Sequence, residues 1–402
     1  MTASTAPGYF ELFANGRISG WAIDAHGDSA PVVVRVNGFV AATVEATTVQ
    51  QKRGWTLNRQ SGWPWTQNEG VPRRGGFEVK LRLDPDDRVE AFHGVTGQQM
   101  PGVVRRVTGP HWRPRIALIA PVKQEAPYLL EWIAYHRALG VETFVLGDNG
   151  GSDHTSELIQ ALDAAGLVMR LDWRGEIAFQ LHFDVEAIER ICGLADVCSI
   201  TDADEFLRPL GGRRDIATAV VELFAPPEVS AVAVGWATYG SSGRIEPGEG
   251  LIIERFTHRA PDDHFTHRVV KTIVRPERLA AMVNPHEVRL TGGEYVNDCG
   301  DPVRWSRIPA AVKCTSWNSL RVDHFVIKSR REFEMKVKRG RSDAAPGVED
   351  RDEAFFVSMD RNETFDPMPA DFVSRTKDEL RQIREFLTSF VSSDSSLANL
   401  LR

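Results

Sequence analysis

Cysteine is scarce in this chain. Its 402 residues hold four, Cys192, Cys198, Cys299 and Cys314, and none forms a C-x-x-C pair. That argues against a structural zinc site and predicts reduced thiols in a cytoplasm. Long apolar runs are missing too: none approaches the ~20 residues a bilayer-spanning helix needs. Met1 to Gly8 lacks the basic region and apolar core of a signal peptide. The expected location is therefore cytoplasmic, with scattered arginine the only support for attachment to the inner face of a membrane. An excess of positive charge is absent, since Lys and Arg number 48 against 55 Asp and Glu, a net charge of −7. A nucleic-acid-binding domain would carry a basic footprint, so nucleic acid is not an expected partner. No internal repeat or long low-complexity tract occurs. What remains is ordinary for a globular protein, with 42% hydrophobic and 26% charged residues. The length suits two or three domains.

Residues 1–110 read as an all-β sandwich domain. Segments 31–36 and 39–44 flank Asn37-Gly38, a strong hairpin signal because both turn residues tolerate positive φ. Segments 20–24 and 76–83 alternate in and out like strands of a small sandwich. Between them a long loop carries Trp55, Trp63 and Trp65. Such rings can stack on sugar faces; the reading preferred is that they plug the sandwich edge or dock the next domain. A Pro-rich joint at 109–115 marks the boundary. From 111 to 345 strands alternate with helices, which implies an α/β domain on a mostly parallel sheet. Strands are expected at 116–121, 141–146, 167–171 and 196–201. Helices are expected at 127–139, from Ser152 or Asp153 to 165, and at 179–192. Residues 346–402 read as a C-terminal helical extension, its last helix around 375–390.

The strand 196–201 runs into Asp202-Ala203-Asp204-Glu205-Phe206. Side chains two apart on an extended chain point the same way, so Asp202 and Asp204 can converge. Like charges that close repel unless a cation sits between them. Oxygen ligation suits Mg²⁺ or Mn²⁺, which keep positions open for phosphate oxygens. Alone, a D-x-D reads more readily as a solvated acidic turn capping the next element. Its context reverses that. Pro121-Val122-Lys123-Gln124-Glu125, Gly147-Asp148-Asn149-Gly150-Gly151-Ser152-Asp153 and the acidic motif follow three strands in succession. Ligands of open α/β sheets bind at the C-terminal strand ends, so all three should ring one cleft.

This order resembles the family 2-like and family 92-like glycosyltransferases, which have the two-lobed, Rossmann-like α/β fold called GT-A. The likeness continues through 236–243, 254–256, 270–276, 323–329 and 332–341, covers about 115–345 and leaves out the β domain. Two positions depart from the pattern: Gln124, where relatives more often carry Asn before the Glu, and His154, where Gly is usual.

The resemblance implies roles. Asp204 is the first metal ligand, and Asp202 binds metal or the hydroxyls of ribose and donor sugar. A late histidine completes the metal site, which assigns His324, and imidazole takes Mn²⁺ more readily than Mg²⁺. Asp323 can orient that ring. The plain alternative is a partly buried histidine bonded to backbone; His258, His264, His267 and His286 are weaker candidates. Asp148 and Asp153 suit uracil or ribose edges, although a turn and a helix cap explain Asp153 as well. Lys123 and Glu125 should line the base-binding edge. Lys271, within an apolar strand, and Lys336, Arg339 and Arg341 can neutralise a diphosphate. Glu205 points the other way and caps the turn. An inverting transferase needs a general base near the acceptor hydroxyl; Asp298 is chosen over Glu294 and Asp301, with Glu254 left open. Trp236 and Tyr239 read as acceptor platforms or core.

The expected activity is metal-dependent transfer of a hexose from a nucleotide sugar, UDP-linked, to a glycan or glycoconjugate, inverting by analogy. The cofactor is Mn²⁺ or Mg²⁺. Two rivals stand. A nucleotidyltransferase would show a Gly-rich loop where this chain has Lys-Gln-Glu-Ala-Pro. A non-catalytic glycan-binding protein would use the Trp55, Trp63 and Trp65 loop and tolerate loss of Asp204.

Overall fold

The computed structural model describes residues 8–12, 17–36 (23, 25 and 27 apart), 39–46, 76–81, 89–100, 102–103, 114–174, 180–340 (193 and 227 apart), 351–388 and 397. The chain divides into two compact units, Met1–Trp112 and Arg113–Arg402.

The first unit holds β1 (Gly8–Leu12), β2 (Arg17–Ala22), β3 (Pro31–Val36), β4 (Phe39–Glu45), β5 (Gly76–Lys80), β6 (Val89–His93) and β7 (Gly102–Val103). They form a four-stranded sheet, β5-β2-β1-β7, and a three-stranded one, β4-β3-β6. Strand β3 alternates as expected: Val32 and Val34 are buried while Arg35 is exposed. Their partners in one core are Phe10, Ile18, Phe77 and Val89, drawn from both sheets. Two sheets closing on a shared apolar face make a sandwich. The turn 37–38, the loop with Trp55, Trp63 and Trp65, and the joint 109–113 lie outside the described residues.

The second unit opens with β8 (Ile116–Val122), α1 (Ala126–Ala138), β9 (Thr143–Asp148), α2 (Thr155–Ala164), β10 (Met169–Asp172), α3 (Gln180–Ile191), β11 (Val197–Ile200), β12 (Glu205–Pro209), α4 (Ile216–Leu223) and β13 (Val229–Thr238). Next come α5 (Ile252–Arg255), β14 (His258–Arg259), β15 (Val270–Val274), β16 (Leu279–Asn284), β17 (Glu287–Leu290) and β18 (Glu294–Asn297). The chain closes with β19 (Leu320–His324), α6 (Arg330–Arg339), α7 (Glu353–Met359), β20 (Thr364–Phe365) and α8 (Ala370–Thr388).

Nine strands share one sheet in the order β10-β9-β8-β11-β15-β13-β19-β12, with β18 beside β13. The first four are parallel; β15 and β12 run antiparallel to their neighbours. Strand β8 is apolar on both faces because both are covered. Leu118 and Ala120 join the core made with α1, α2, α4 and α8. Ala117 and Ile119 join the other, made with Phe183, Ala187, Ile188 and Ile191 of α3. Gly147 permits that second layer: a Cβ there would stand 2.7 Å from the Phe183 ring. Helix α8 begins at Ala370, earlier than the expected 375, and its Leu380, Ile383 and Leu387 belong to the α1 core.

His136, on α1, is fully buried and locks this layer to the sheet. Its Nδ1 meets the Trp132 carbonyl at 2.9 Å, and the Leu207 amide donates to its Nε2 at 3.1 Å. Burial pushes the imidazole down to about 3, against the Trp132 bond. Between its ordinary value and 3 the unfolded chain binds a proton that the folded chain refuses. Stability from this group is complete above the ordinary histidine range and is lost as pH falls, with a slope of up to about 1.4 kcal/mol per pH unit. Buried Glu131, pushed up to about 7, pulls the opposite way. The difference between wild type and His136→Gln in urea titrations at pH 4 to 7 isolates the histidine; equal slopes in both proteins would refute the assignment.

Candidate active site

The C-terminal ends of β8, β11 and β19 meet at a cavity of ≈ 270 Å³. Its lining includes Lys123, Glu125, Asp202, Asp204 and His324 from these ends, Gln180 from α3, and Lys336 and Arg339 from α6. This is the position where open α/β sheets bind ligands.

The acidic motif is a tight turn between β11 and β12. The Asp202 amide donates to Glu205 Oε2 at 2.8 Å, and the Glu205 amide to the Asp202 carbonyl at 3.0 Å. Glu205 thus points inward and closes the turn, leaving Asp202 and Asp204 on the cleft. Beneath them Lys271, fully buried on β15, meets Asp202 Oδ2 at 3.0 Å and Glu205 Oε2 at 3.1 Å. Burial would lower this ammonium, but Asp202 and Glu205 outweigh that and raise it. One ammonium cannot neutralise every nearby carboxylate. Burial, helped by Asp202 and Asp204, pushes Glu205 up to about 8 against Lys271. Asp184 of α3, on the same side, is buried with no hydrogen-bond partner on either oxygen, and burial raises it strongly.

Asp204 is nearly inaccessible, at 6% exposure. Burial would raise its carboxyl, but the ammonium groups of Lys336 and Lys328 hold it well below the usual range. His324 pairs across the strands with Glu205 and presents Nε2 3.7 Å from Asp204 Oδ1. Burial pushes this ring down to about 3, so it is neutral at pH 7. Its Nδ1 is buried without a partner. A neutral imidazole beside a carboxylate, too far for a hydrogen bond, is a donor pair that fits a divalent cation. Among the described residues no group of three His, Cys, Asp or Glu is gathered to hold a metal. The protein therefore offers two convergent donors, which suits an ion that takes its other ligands from phosphate and water.

Helix α6 supplies the positive wall. Ser329 and Glu332 form a reciprocal cap at its start, which fixes the direction of Lys336 and Arg339 two turns on. Arg339 pairs with Glu125 at 2.5 Å and donates to the Lys123 and Gln124 carbonyls at 2.7 and 2.8 Å. Lys336 Nζ meets Asp204 Oδ2 at 2.5 Å and the Val326 carbonyl at 2.8 Å. Lys328 lies nearby, in a left-handed backbone conformation with φ 57, its ammonium 4.5 Å from the Tyr128 ring centre.

Several expected residues lie elsewhere. Asp298 is no candidate base: it is fully buried, off the cleft, and accepts the Ser319 amide at 3.0 Å and the Asn318 amide at 2.5 Å. Its carboxylate is spent on closing the turn before β19. Asp148 is also buried, holding Arg170 at 2.9 Å, the Ser156 hydroxyl and the Gly150 amide. Asp153 is a local cap, accepting from Thr155 and from the first amide of α1, that of Ala126. Neither lines the cavity. Asp323 faces away from His324 into an arginine cluster. Tyr239 is buried in that same cluster. The Trp236 ring packs 4.2 Å from the His324 ring. Glu254 caps α5 and pairs with Lys377. His258, His264, His267 and His286 do not line the cavity, and Arg341 lies outside the described residues. Gln180, Arg351 and Phe355 line the cleft without having been singled out. Gln180 was legible in hindsight as the polar first residue of an amphipathic helix; nothing local marked the other two.

Among relatives, a glycosyltransferase family 92 protein of Oryza sativa subsp. japonica is 27% identical over 199 residues, 46% of this chain and 32% of that protein. One from Ricinus communis is 28% identical over 226 residues, 54% and 36% of the two chains. The chain thus spans about a third of the length of these curated relatives. Among solved structures, S. aureus TarS 1–349 in complex with UDP-GlcNAc covers 70% of this chain and 74% of its own, at 10% identity and a TM-score of 0.33, too low for the two shapes to be called the same. No helix among the described residues is long and apolar enough to cross a membrane. Residues 119–299 match the model of glycosyltransferase family 92, and the second unit is in this sense family 92-like.

Proposed function

We propose that the second unit is a metal-dependent glycosyltransferase that moves a hexose from a nucleotide sugar, UDP-linked, to a glycan or glycoconjugate acceptor with inversion. One observation carries this reading. A carboxylate pair from the turn after β11, a neutral histidine from the end of β19 and two anchored cations from α6 converge on one cleft of the family 92-like unit. Departure of a nucleoside diphosphate gathers negative charge on its phosphates, and the site must stabilise it. Asp204 and His324 are the residues that would hold Mn²⁺ or Mg²⁺, which when bound supplies positive charge to those phosphates. Asp202, fixed by Lys271, faces the cleft as an acceptor for ribose or sugar hydroxyls. Glu125, held by Arg339, and Lys123 form the wall at the end of β8, where the base would lie.

The test is calorimetric binding of a panel of nucleoside diphosphates and nucleotide sugars, with Mn²⁺ and with chelator. Tight binding of one diphosphate, dependent on Mn²⁺ and absent in Asp204→Ala, is the expected result. If no nucleotide binds under any condition, the donor-site reading is wrong.

A further inference from the structure

Asp204 already has a cation. Lys336 Nζ sits 2.5 Å from its Oδ2, and the same ammonium donates to the Val326 carbonyl at 2.8 Å. That second bond makes the contact part of the fold rather than a swing of a free side chain. The capped start of α6 fixes one end of the helix. Arg339, bonded to Glu125 and to two backbone carbonyls of the β8–α1 turn, fixes the other. Lys336 is thus held between two anchors and lines the same cavity as Asp202 and His324. The opposite oxygen, Oδ1, faces His324 Nε2.

We propose that Lys336 is a resident counter-ion of Asp204 that competes with a divalent cation, and that a diphosphate relieves the competition by taking the ammonium, so that metal and nucleotide bind together rather than independently. This rests on the donor-site reading above. A carboxylate that shares its charge with an ammonium at contact distance attracts a second cation less, and two protein donors alone make a weak site for an oxygen-loving ion. A diphosphate changes both conditions. It offers Lys336 a new anionic partner within the cleft, and it supplies the missing oxygen ligands. The coupling is reciprocal: metal tightens nucleotide by the factor by which nucleotide tightens metal.

The experiment measures Mn²⁺ binding by the loss of its free electron paramagnetic resonance signal, with and without UDP, in wild type, Lys336→Met, Lys336→Arg and the double variant Asp204→Asn/Lys336→Met. In wild type, UDP should tighten Mn²⁺ by about 5- to 150-fold. Lys336→Met should bind Mn²⁺ alone at least about tenfold more tightly than wild type, with the UDP effect reduced. Lys336→Arg keeps the charge and should bind Mn²⁺ alone no better than wild type. The double variant, which has neither charge, should lose the Mn²⁺ gained by Lys336→Met, and it reports on folding where the single variant is damaged. Unchanged Mn²⁺ affinity in a folded Lys336→Met would overturn the competition even where UDP and Mn²⁺ bind together. A gain of Mn²⁺ by Lys336→Met in a protein that binds no nucleotide would uphold the competition at Asp204 and sink the donor-site reading instead.

Discussion

Asp204→Asn is expected to lower the turnover of sugar transfer by about 10²- to 10³-fold, while leaving a folded protein. The substitution keeps the side chain's size and one acceptor oxygen but removes the charge that faces His324 and Lys336. If the site stabilises charge that develops on the leaving diphosphate, the loss should appear in kcat and in kcat/KM together, because the interaction matters most in the transition state. Raising Mn²⁺ should restore part of the rate if weakened metal binding is the cause. His324→Ala should act in the same direction. His324→Gln, which retains a polar atom at similar reach, should be milder. The risk is structural, since the variant leaves Lys336 buried beside a neutral amide, and a thermal melt must accompany the kinetics. Transfer at the wild-type rate by a folded Asp204→Asn would remove Asp204 from the mechanism.

How much of this was readable in advance depends on the range of each interaction. Strands such as β8 and β11 and the helix stops at Gly140 and Gly166 are signalled within a few residues, and the structure has them near their expected bounds. The acidic turn was equally local. The two departures from the family pattern also gain a physical meaning. Gln124 has φ 50 and His154 φ 68, the left-handed region where Asn and Gly are favoured. What local pattern could not show is pairing over distance. Lys336 and Asp204 are 132 residues apart in the chain, and a basic helix end gives no sign of which carboxylate it will meet. Asp298 failed for the same reason. Its loop looks solvated and Gly-rich, yet the carboxylate is consumed by amides 20 and 21 residues further on.

The largest loss of stability is expected from Asp323→Ala, about 3–5 kcal/mol, with the cleft itself intact. Successive side chains of β19 alternate between faces, so Asp323 lies opposite His324, on the side of Arg321. Its Oδ1 takes the Arg321 Nε–H at 2.6 Å, and its Oδ2 lies 3.4 Å from Arg208 and 3.3 Å from the Tyr239 hydroxyl. The second anion, Asp366, pairs with Arg208, Arg259 and Arg321 at 3.0, 2.7 and 2.8 Å. Arg259 has a further, exposed partner in Asp262 at 2.7 Å. Among the described residues Arg208 and Arg321 depend on the carboxylates of Asp323 and Asp366 alone, and removing Asp323 strands positive charge in a buried layer. Burying an uncompensated charge costs far more than the intact pair contributes. Two controls follow from that asymmetry. Asp323→Asn, which can still accept the arginine's hydrogen bond, should lose less than Ala. The double variant Arg321→Met/Asp323→Leu, apolar on both sides, should recover a substantial part of the loss. Urea denaturation measures all three. A change within about 1 kcal/mol for Asp323→Ala, the range of exposed pairs, would mean that water screens the cluster. Mn²⁺ and nucleotide binding by the folded fraction should match wild type, because Asp323 supports the sheet and does not orient His324; weaker Mn²⁺ binding would return it to the role of holding that ring.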